Sequence, residues 1–394
     1  MAVDWKRQFG PAIAISTALC AAVLVFAARH AYAIFDDAYI FLRYVDRIYA
    51  GCPLAFNCAD GPLEGFTSPL YLLLLTVSGL AIPDLELLTQ VLCPMLLSAA
   101  LVFTAVSAGH KSLVGDDGKA GLLLTLGVAL LLGLDHHILL YGVVGVEAGL
   151  AILVIILLFR AALHPELKGL RTLVVLAILT RPECALFALA LPIFPQARKV
   201  RYWIPLAAAG VAIALARWLI FRDFLPNTFW AKSGGTATHF VLGLEYILEV
   251  VGEHPLIVAA PLALLHKKAR RPIAFVLVAS LLWFAFFLKS GGDFYIYSRL
   301  AIPLVPLLDL LAVVGIWSLA ARYVRSPAPW VAAGVAAVLA VTAAWRHDIP
   351  PQGPFANVPR WSQVGRFLNK VHPGPTVAAP PMAAIIRLSP APLL

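Results

Sequence analysis

Charge is the scarcest thing in this chain. Asp, Glu, Lys and Arg supply 13% of its 394 residues, while hydrophobic residues supply 61%; soluble domains average roughly 25% and 45–50%. That shortage excludes an ordinary soluble enzyme and a disordered chain. Cysteine is also scarce. Five Cys in 394 residues exclude a disulfide scaffold, and their spacing fits no zinc signature. Acids are fewer than bases, 21 against 30, leaving a net charge of +9. On so apolar a chain this excess reads as charge on membrane-flanking loops, so no nucleic-acid partner is expected. What remains is a series of long apolar runs, and they predict an all-α polytopic membrane protein.

A helix needs roughly 20 apolar residues to cross about 30 Å of hydrocarbon. Runs of suitable composition lie near 11–28, 69–82, 86–108, 121–140, 143–160, 172–195, 203–221, 255–266, 272–288, 300–321 and 329–345. Lys6 and Arg7 precede the first run and orient it outward, delivering Asp36 to the exterior. Ala31-Tyr32-Ala33 has the small-x-small form of a signal-peptide cleavage site. The long first run and the spans that follow it favour a retained helix instead. Basic clusters at 160–171, 198–201, 267–271 and 322–325 are placed inside. That puts 30–68, 135–147, 222–254, 289–299 and the tail from 346 outside. Parity then requires 172–195 to return to its own face, with Arg181-Pro182-Glu183 as the break. It also makes 69–82, about 14 residues, re-entrant or steeply tilted.

The expected organisation is a transmembrane domain over 1–345 with about 10–11 transmembrane helices, followed by a short exterior tail over 346–394. The exterior segments 30–68 and 222–254 exceed ordinary connector length, which favours function over linkage. Each holds a stretch with helical apolar spacing, at 39–49 and 239–251, suited to an interfacial helix.

Ionisable groups near a membrane cost roughly 2.5–3.5 kcal/mol each at a helix centre, so those outside the basic clusters are informative. Asp36-Asp37, Glu64, Glu147, Asp223, Asn227, Lys232, Lys289, Asp293 and Arg299 all fall on expected exterior segments. Adjacent carboxylates repel, which raises the proton affinity of at least one unless a cation compensates. Asp36-Asp37 therefore suits a general base or a divalent cation. The bland reading is that Asp37 caps the following helix and Asp36 is solvated. A lone Glu147 reads as a polar anchor, and Lys232 as a snorkelling one. Gly291-Gly292-Asp293 could bring backbone N–H groups and Arg299 to a phosphate. Cys52 and Cys58 are disulfide candidates, worth roughly 2–3 kcal/mol across so short a loop. Adjacent His136 and His137 are poorly spaced to chelate a metal together.

Ordered motifs carry a resemblance. They are Asp36-Asp37-Ala38-Tyr39-Ile40, Arg43-Tyr44, Leu54 to Asn57, Glu64 to Thr67, Gly145-Val146-Glu147, Thr180 to Glu183, Leu225 to Lys232, and Gly291 to Pro303. Between about 34 and 305 the chain resembles a family of bacterial GT-C glycosyltransferases that includes terminal and pilin arabinofuranosyltransferases. The resemblance implies a GT-C-like bundle in a bacterial plasma membrane. It implies transfer of a sugar, such as D-arabinofuranose, from a polyprenyl-phosphate donor to an acceptor hydroxyl on a glycan or protein, with inversion, on the exterior face. It makes Asp36 and Asp37 the catalytic candidates. It assigns substrate contacts to Arg43, Glu64, Thr67, Glu147, Asn227, Lys232, Asp293 and Arg299. The chain departs from the pattern at Cys52 and Cys58, at Ala148 where the family usually has Thr, and in a tail shorter than the exterior segment of relatives. A transporter of lipid-linked sugars and a non-catalytic assembly subunit are the competing readings. The first would favour helix breaks near the bilayer midplane.

Overall fold

The computed structural model describes residues 5–29, 34–115, 117–164, 166–224, 237–293 and 298–323. Asn227, Lys232, the run 329–345 and the tail 346–394 lie outside the described residues. The described chain is helical without strands, apart from one isolated bridge between Ala55 and Pro62.

Five of the described helices, or helix-plus-turn units, are long and apolar enough to cross a membrane: Pro11–Arg29, Leu85–Val114, Val200–Phe221, Lys267–Ser290 and Val305–Tyr323. Two bent helix pairs, Gly118–Leu134 with His136–Val143 at 66° and Ala237–Glu253 with Pro255–Leu265 at 81°, each form a broken span or a re-entrant loop, which brings the spans to between five and seven among the described residues. Shorter apolar helices cover Pro69–Gly79, Ala148–Leu163, Leu170–Thr180 and Pro182–Ile193. This is an all-α polytopic membrane protein. The α-helices are α1 (Trp5–Arg29), α2 (Asp36–Tyr49), α3 (Pro69–Gly79), α4 (Leu85–Ala108), α5 (Lys111–Val114), α6 (Gly118–Leu134), α7 (His136–Val143), α8 (Ala148–Leu163), α9 (Leu170–Thr180), α10 (Ala185–Ala190), α11 (Val200–Phe221), α12 (Ala237–Glu253), α13 (Arg270–Ser290) and α14 (Val305–Tyr323).

Local chemistry sets the boundaries. The Asp84 side chain accepts from the N–H groups of Glu86 and Leu87, both at 3.0 Å, and starts α4. Asp117 does the same for α6 through Lys119 and Ala120; such caps satisfy N–H groups that lack an intrahelical partner. The break at Arg181 is where the sequence places it. Pro182 disfavours helical backbone at the residue before it, and Arg181 is extended (φ −152°, ψ 133°). At 11 residues, α3 is about 16 Å long, too short to cross alone. The stretch 239–251 lies within α12, which forms a bent pair with 255–265.

Helix α4 packs against α1, α6, α7, α8 and α14, and α8 is buried along nearly its whole length. α11 has no buried residue and touches mainly α9 and the 195–198 turn. The core helices also separate two faces. α8 runs from Glu147 to His164, about 24 Å by its 16 residues. α13 runs from Arg270 to the turn before Asp293, about 32 Å by its 21 residues. At the His164 and Arg270 ends, His164, Gln196, Lys267, Lys268, Arg270 and Arg271 line one cavity of about 610 Å³. Two of the four basic segments assigned to the inner side, 160–171 and 267–271, thus meet at one cavity, at the ends of α8 and α13 opposite Glu147 and Asp293.

Candidate functional site

Asp36 and Asp37 open α2. Their position is fixed from behind, because the Phe35 N–H donates to the Val144 carbonyl at 2.8 Å. Next along that turn is Gly145, at φ +92°; a Cβ on it would lie 3.0 Å from the Ala38 Cβ. Tyr71 donates to the Gly145 carbonyl at 2.8 Å. The Gly145-Val146-Glu147 turn and the start of α2 are therefore one packed unit, with Glu147 buried at the cap of α8.

Two guanidiniums gather the acids. Arg299 pairs with Asp37 and, at 2.9 Å, with Asp293, and its guanidinium lies 5.6 Å from the centre of the Phe35 ring. Arg181 pairs with Glu147 at 3.1 Å and with Glu183 at 3.4 Å. The clusters are neighbours, since Glu147 acts electrostatically on Arg299 and the two guanidiniums act on each other. Burial works against the charge of Arg299, yet the carboxylates of Asp293 and Asp37 outweigh it and hold the proton more tightly than usual. The turn that delivers Asp293 needs glycine. Gly291 and Gly292 sit at φ +80° and +75°, and a Cβ on Gly292 would fall 2.5 Å from the Tyr246 ring. Both N–H groups go to the Phe287 carbonyl and end α13. They are engaged in that cap, not presented to a phosphate as the sequence suggested.

The other predicted residues lie elsewhere. Buried Arg43 donates to the Phe56 carbonyl at 3.2 Å and to Asn57 at 3.3 Å. Tyr44 donates to the Leu63 carbonyl at 2.6 Å and accepts from the Gly65 N–H at 2.9 Å. The Arg43-Tyr44 pair thus fastens the first loop to α2 and grips the backbone on both sides of Glu64. Burial, with the Glu64 charge nearby, pushes the Tyr44 hydroxyl up to about 12. Glu64 pairs with Arg217 of α11. Burial pushes Glu64 up to about 7, with Arg217 pulling it down and Asp223 pushing it up. Thr67 and Arg217 line an apolar groove of about 440 Å³ between α9 and α11, which Pro182 and Trp203 also border. Cys52 and Cys58 form a disulfide with Cα atoms 5.4 Å apart.

The structure therefore gathers Asp37, Glu147, Asp293 and Arg299, with Asp36 next in the chain. It leaves Arg43 as a loop clamp and puts Glu64 and Thr67 at the groove. Residue-level reasoning missed Arg181, Glu183 and Arg217 as site members; the signal for the first two was a charged pair flanking a proline inside an apolar run. No protein-family model, curated protein or solved structure matches the chain.

Proposed function

We propose that this protein is an inverting glycosyltransferase that moves a sugar from a polyprenyl-phosphate donor to a hydroxyl of a cell-envelope glycan or protein. The proposed setting is the exterior face of a bacterial plasma membrane, with D-arabinofuranose as the first donor sugar to test. The observation that carries the reading is the convergence of Asp37, Arg299 and Asp293 beside Glu147 and Arg181, from segments spread over more than 260 residues. Such a site can take a proton from an acceptor hydroxyl and orient the sugar. In this proposal Asp36 or Asp37 is the base, and the apolar groove ending at Arg217 takes the isoprenoid chain. Among the described residues, the ion pairs of Asp37, Glu147, Glu183 and Asp293 are made with Arg181 and Arg299, four acids to two cations. A phosphate leaving group therefore needs further positive charge, from a divalent cation or from Lys232.

Labelled polyprenyl-phosphate sugars given to purified membranes test the proposal. Asp36→Asn and Asp37→Asn should each leave expression intact, and at least one should lower transfer by about 10²–10⁴-fold, the usual worth of a positioned base. Full activity in both variants refutes the mechanism. A second reading, transport of a lipid-linked sugar, draws support from the two bent helix pairs, because discontinuous helices often form transporter sites. Movement of a lipid-linked sugar across proteoliposomes, without transfer to any acceptor, would favour that reading.

A further inference from the structure

The two bent helix pairs break at residues that meet. Asp135 occupies the 66° break between α6 and α7, and His254 occupies the 81° break between α12 and 255–265. The Asp135 Oδ2 lies 3.2 Å from His254 Nδ1, and the Glu253 Oε2 lies 3.7 Å from His137 Nδ1. Donor atoms of Asp135, His137 and His254 all lie within 4.8 Å of one another. A tetrahedral zinc ion with bonds near 2.0–2.1 Å holds its ligands roughly 3.3 Å apart, so the cluster is within a small contraction of that geometry.

The surroundings favour ligation over a simple hydrogen bond. Asp135 is preset: its Oδ1 accepts from the Ile138 N–H at 2.9 Å, leaving Oδ2 for His254. The Glu253 carboxylate accepts from the Ser298 hydroxyl, the kind of outer contact that orients a metal ligand. The His254 side chain is 2% exposed, and among the described residues its Nε2 has no hydrogen-bond partner. Each carboxylate faces an imidazole rather than a Lys or Arg. The buried Asp309 carboxylate also acts electrostatically on His254 and Asp135, so the cluster carries an excess of carboxylates that a cation would offset.

We propose that Asp135, His137 and His254, with Glu253 as fourth donor, form a closed divalent-cation site of the zinc class that staples the two bent helix pairs. Mixed imidazole and carboxylate donors suit Zn²⁺ over Mg²⁺ or Ca²⁺, and four protein ligands suit a structural ion. The site is separate from Asp36-Asp37 and stands whether or not the protein transfers sugar.

The test uses the purified full-length protein, stripped with a chelator and titrated with Co²⁺ and then Zn²⁺. The wild type should bind about one equivalent, show the intense visible absorption of tetrahedral Co²⁺, lose it to Zn²⁺, and unfold at higher temperature with metal. His137→Gln and His254→Gln should abolish the absorption, and Ser298→Ala should weaken binding about 10-fold. His137 lies at the edge of the cluster, 14% exposed, so His137→Gln decides the matter even if His254→Gln does not fold. A wild type without tetrahedral Co²⁺ absorption overturns the proposal, and so does absorption that His137→Gln leaves unchanged.

Discussion

Replacing Glu64 by Gln should flatten the pH dependence of stability. Glu64 is held at the Arg217 end of the groove with a side chain only 5% exposed. Burial lifts its carboxyl from an ordinary 4.5 to about 7, against the pull of Arg217. A folded-state pKa above the unfolded value gives stability that is complete below about 4.5 and is lost as pH rises through about 7. A shift of roughly 2.5 units at 1.36 kcal/mol each makes the loss about 3 kcal/mol between pH 4.5 and pH 8. Equilibrium unfolding of the detergent-solubilised protein across that window is the assay. The wild type should weaken with rising pH, while Glu64→Gln should lose about 3 kcal/mol less over the same interval. Arg217→Met removes the opposing pull, so its pH-dependent loss should move above pH 7. Removing one partner of a buried pair costs about 3–5 kcal/mol, so this variant should also be weaker at pH 8. A Glu64→Gln slope equal to that of the wild type would refute the reasoning. So would a wild type whose Glu64-dependent stability rises with pH.

Other variants test the scaffold. Tyr44→Phe strands the Leu63 carbonyl and the Gly65 N–H and should cost about 1–3 kcal/mol in the same unfolding assay. Gly145→Ala combines an unfavourable φ of +92° with a Cβ 3.0 Å from the Ala38 Cβ; it should displace the start of α2, lowering both stability and any activity that depends on Asp37. Thiol labelling of the unfolded, unreduced protein should modify Cys20, Cys93 and Cys184 and spare Cys52 and Cys58, with all five labelled after reduction.

Much of the fold is legible in the sequence because apolar run length and helix-breaking chemistry are local. Pro182 alone accounts for the end of α9. The helical spacing of Tyr39, Leu42 and Val45 accounts for α2, whose apolar side is buried. Partner choice is not local. Arg217 sits near the end of an apolar helix, and only packing reveals that it meets Glu64, 153 residues earlier. Leucine-rich faces are nearly interchangeable in what they accept, so no period in the sequence says that α4 packs on α8 or that α11 stands beside α9. The same blindness explains Gly291 and Gly292. Their flexibility suggested a phosphate cradle, but the Tyr246 ring packed over the turn and the cap on α13 account for both glycines.

Asp135, Arg181 and His254 share one further property: each stands where a helix breaks. Backbone freed at membrane depth must be satisfied by the protein itself, so breaks survive only where polar groups are already gathered. All three residues keep their own N–H bonded to the preceding turn: Asp135 to Leu132, Arg181 to Ala177 and His254 to Val250. Their side chains then reach across to another segment, Arg181 to Glu147 and His254 to Asp135. A break therefore both ends a helix and anchors an ionisable side chain on rigid backbone, at the ends of packed helices. In a chain this poor in charge, an ionisable residue that interrupts an apolar run is a stronger site signal than one in a loop. Arg181 and Glu183 flank their proline in just that way, and the same rule singles out Asp135 and His254.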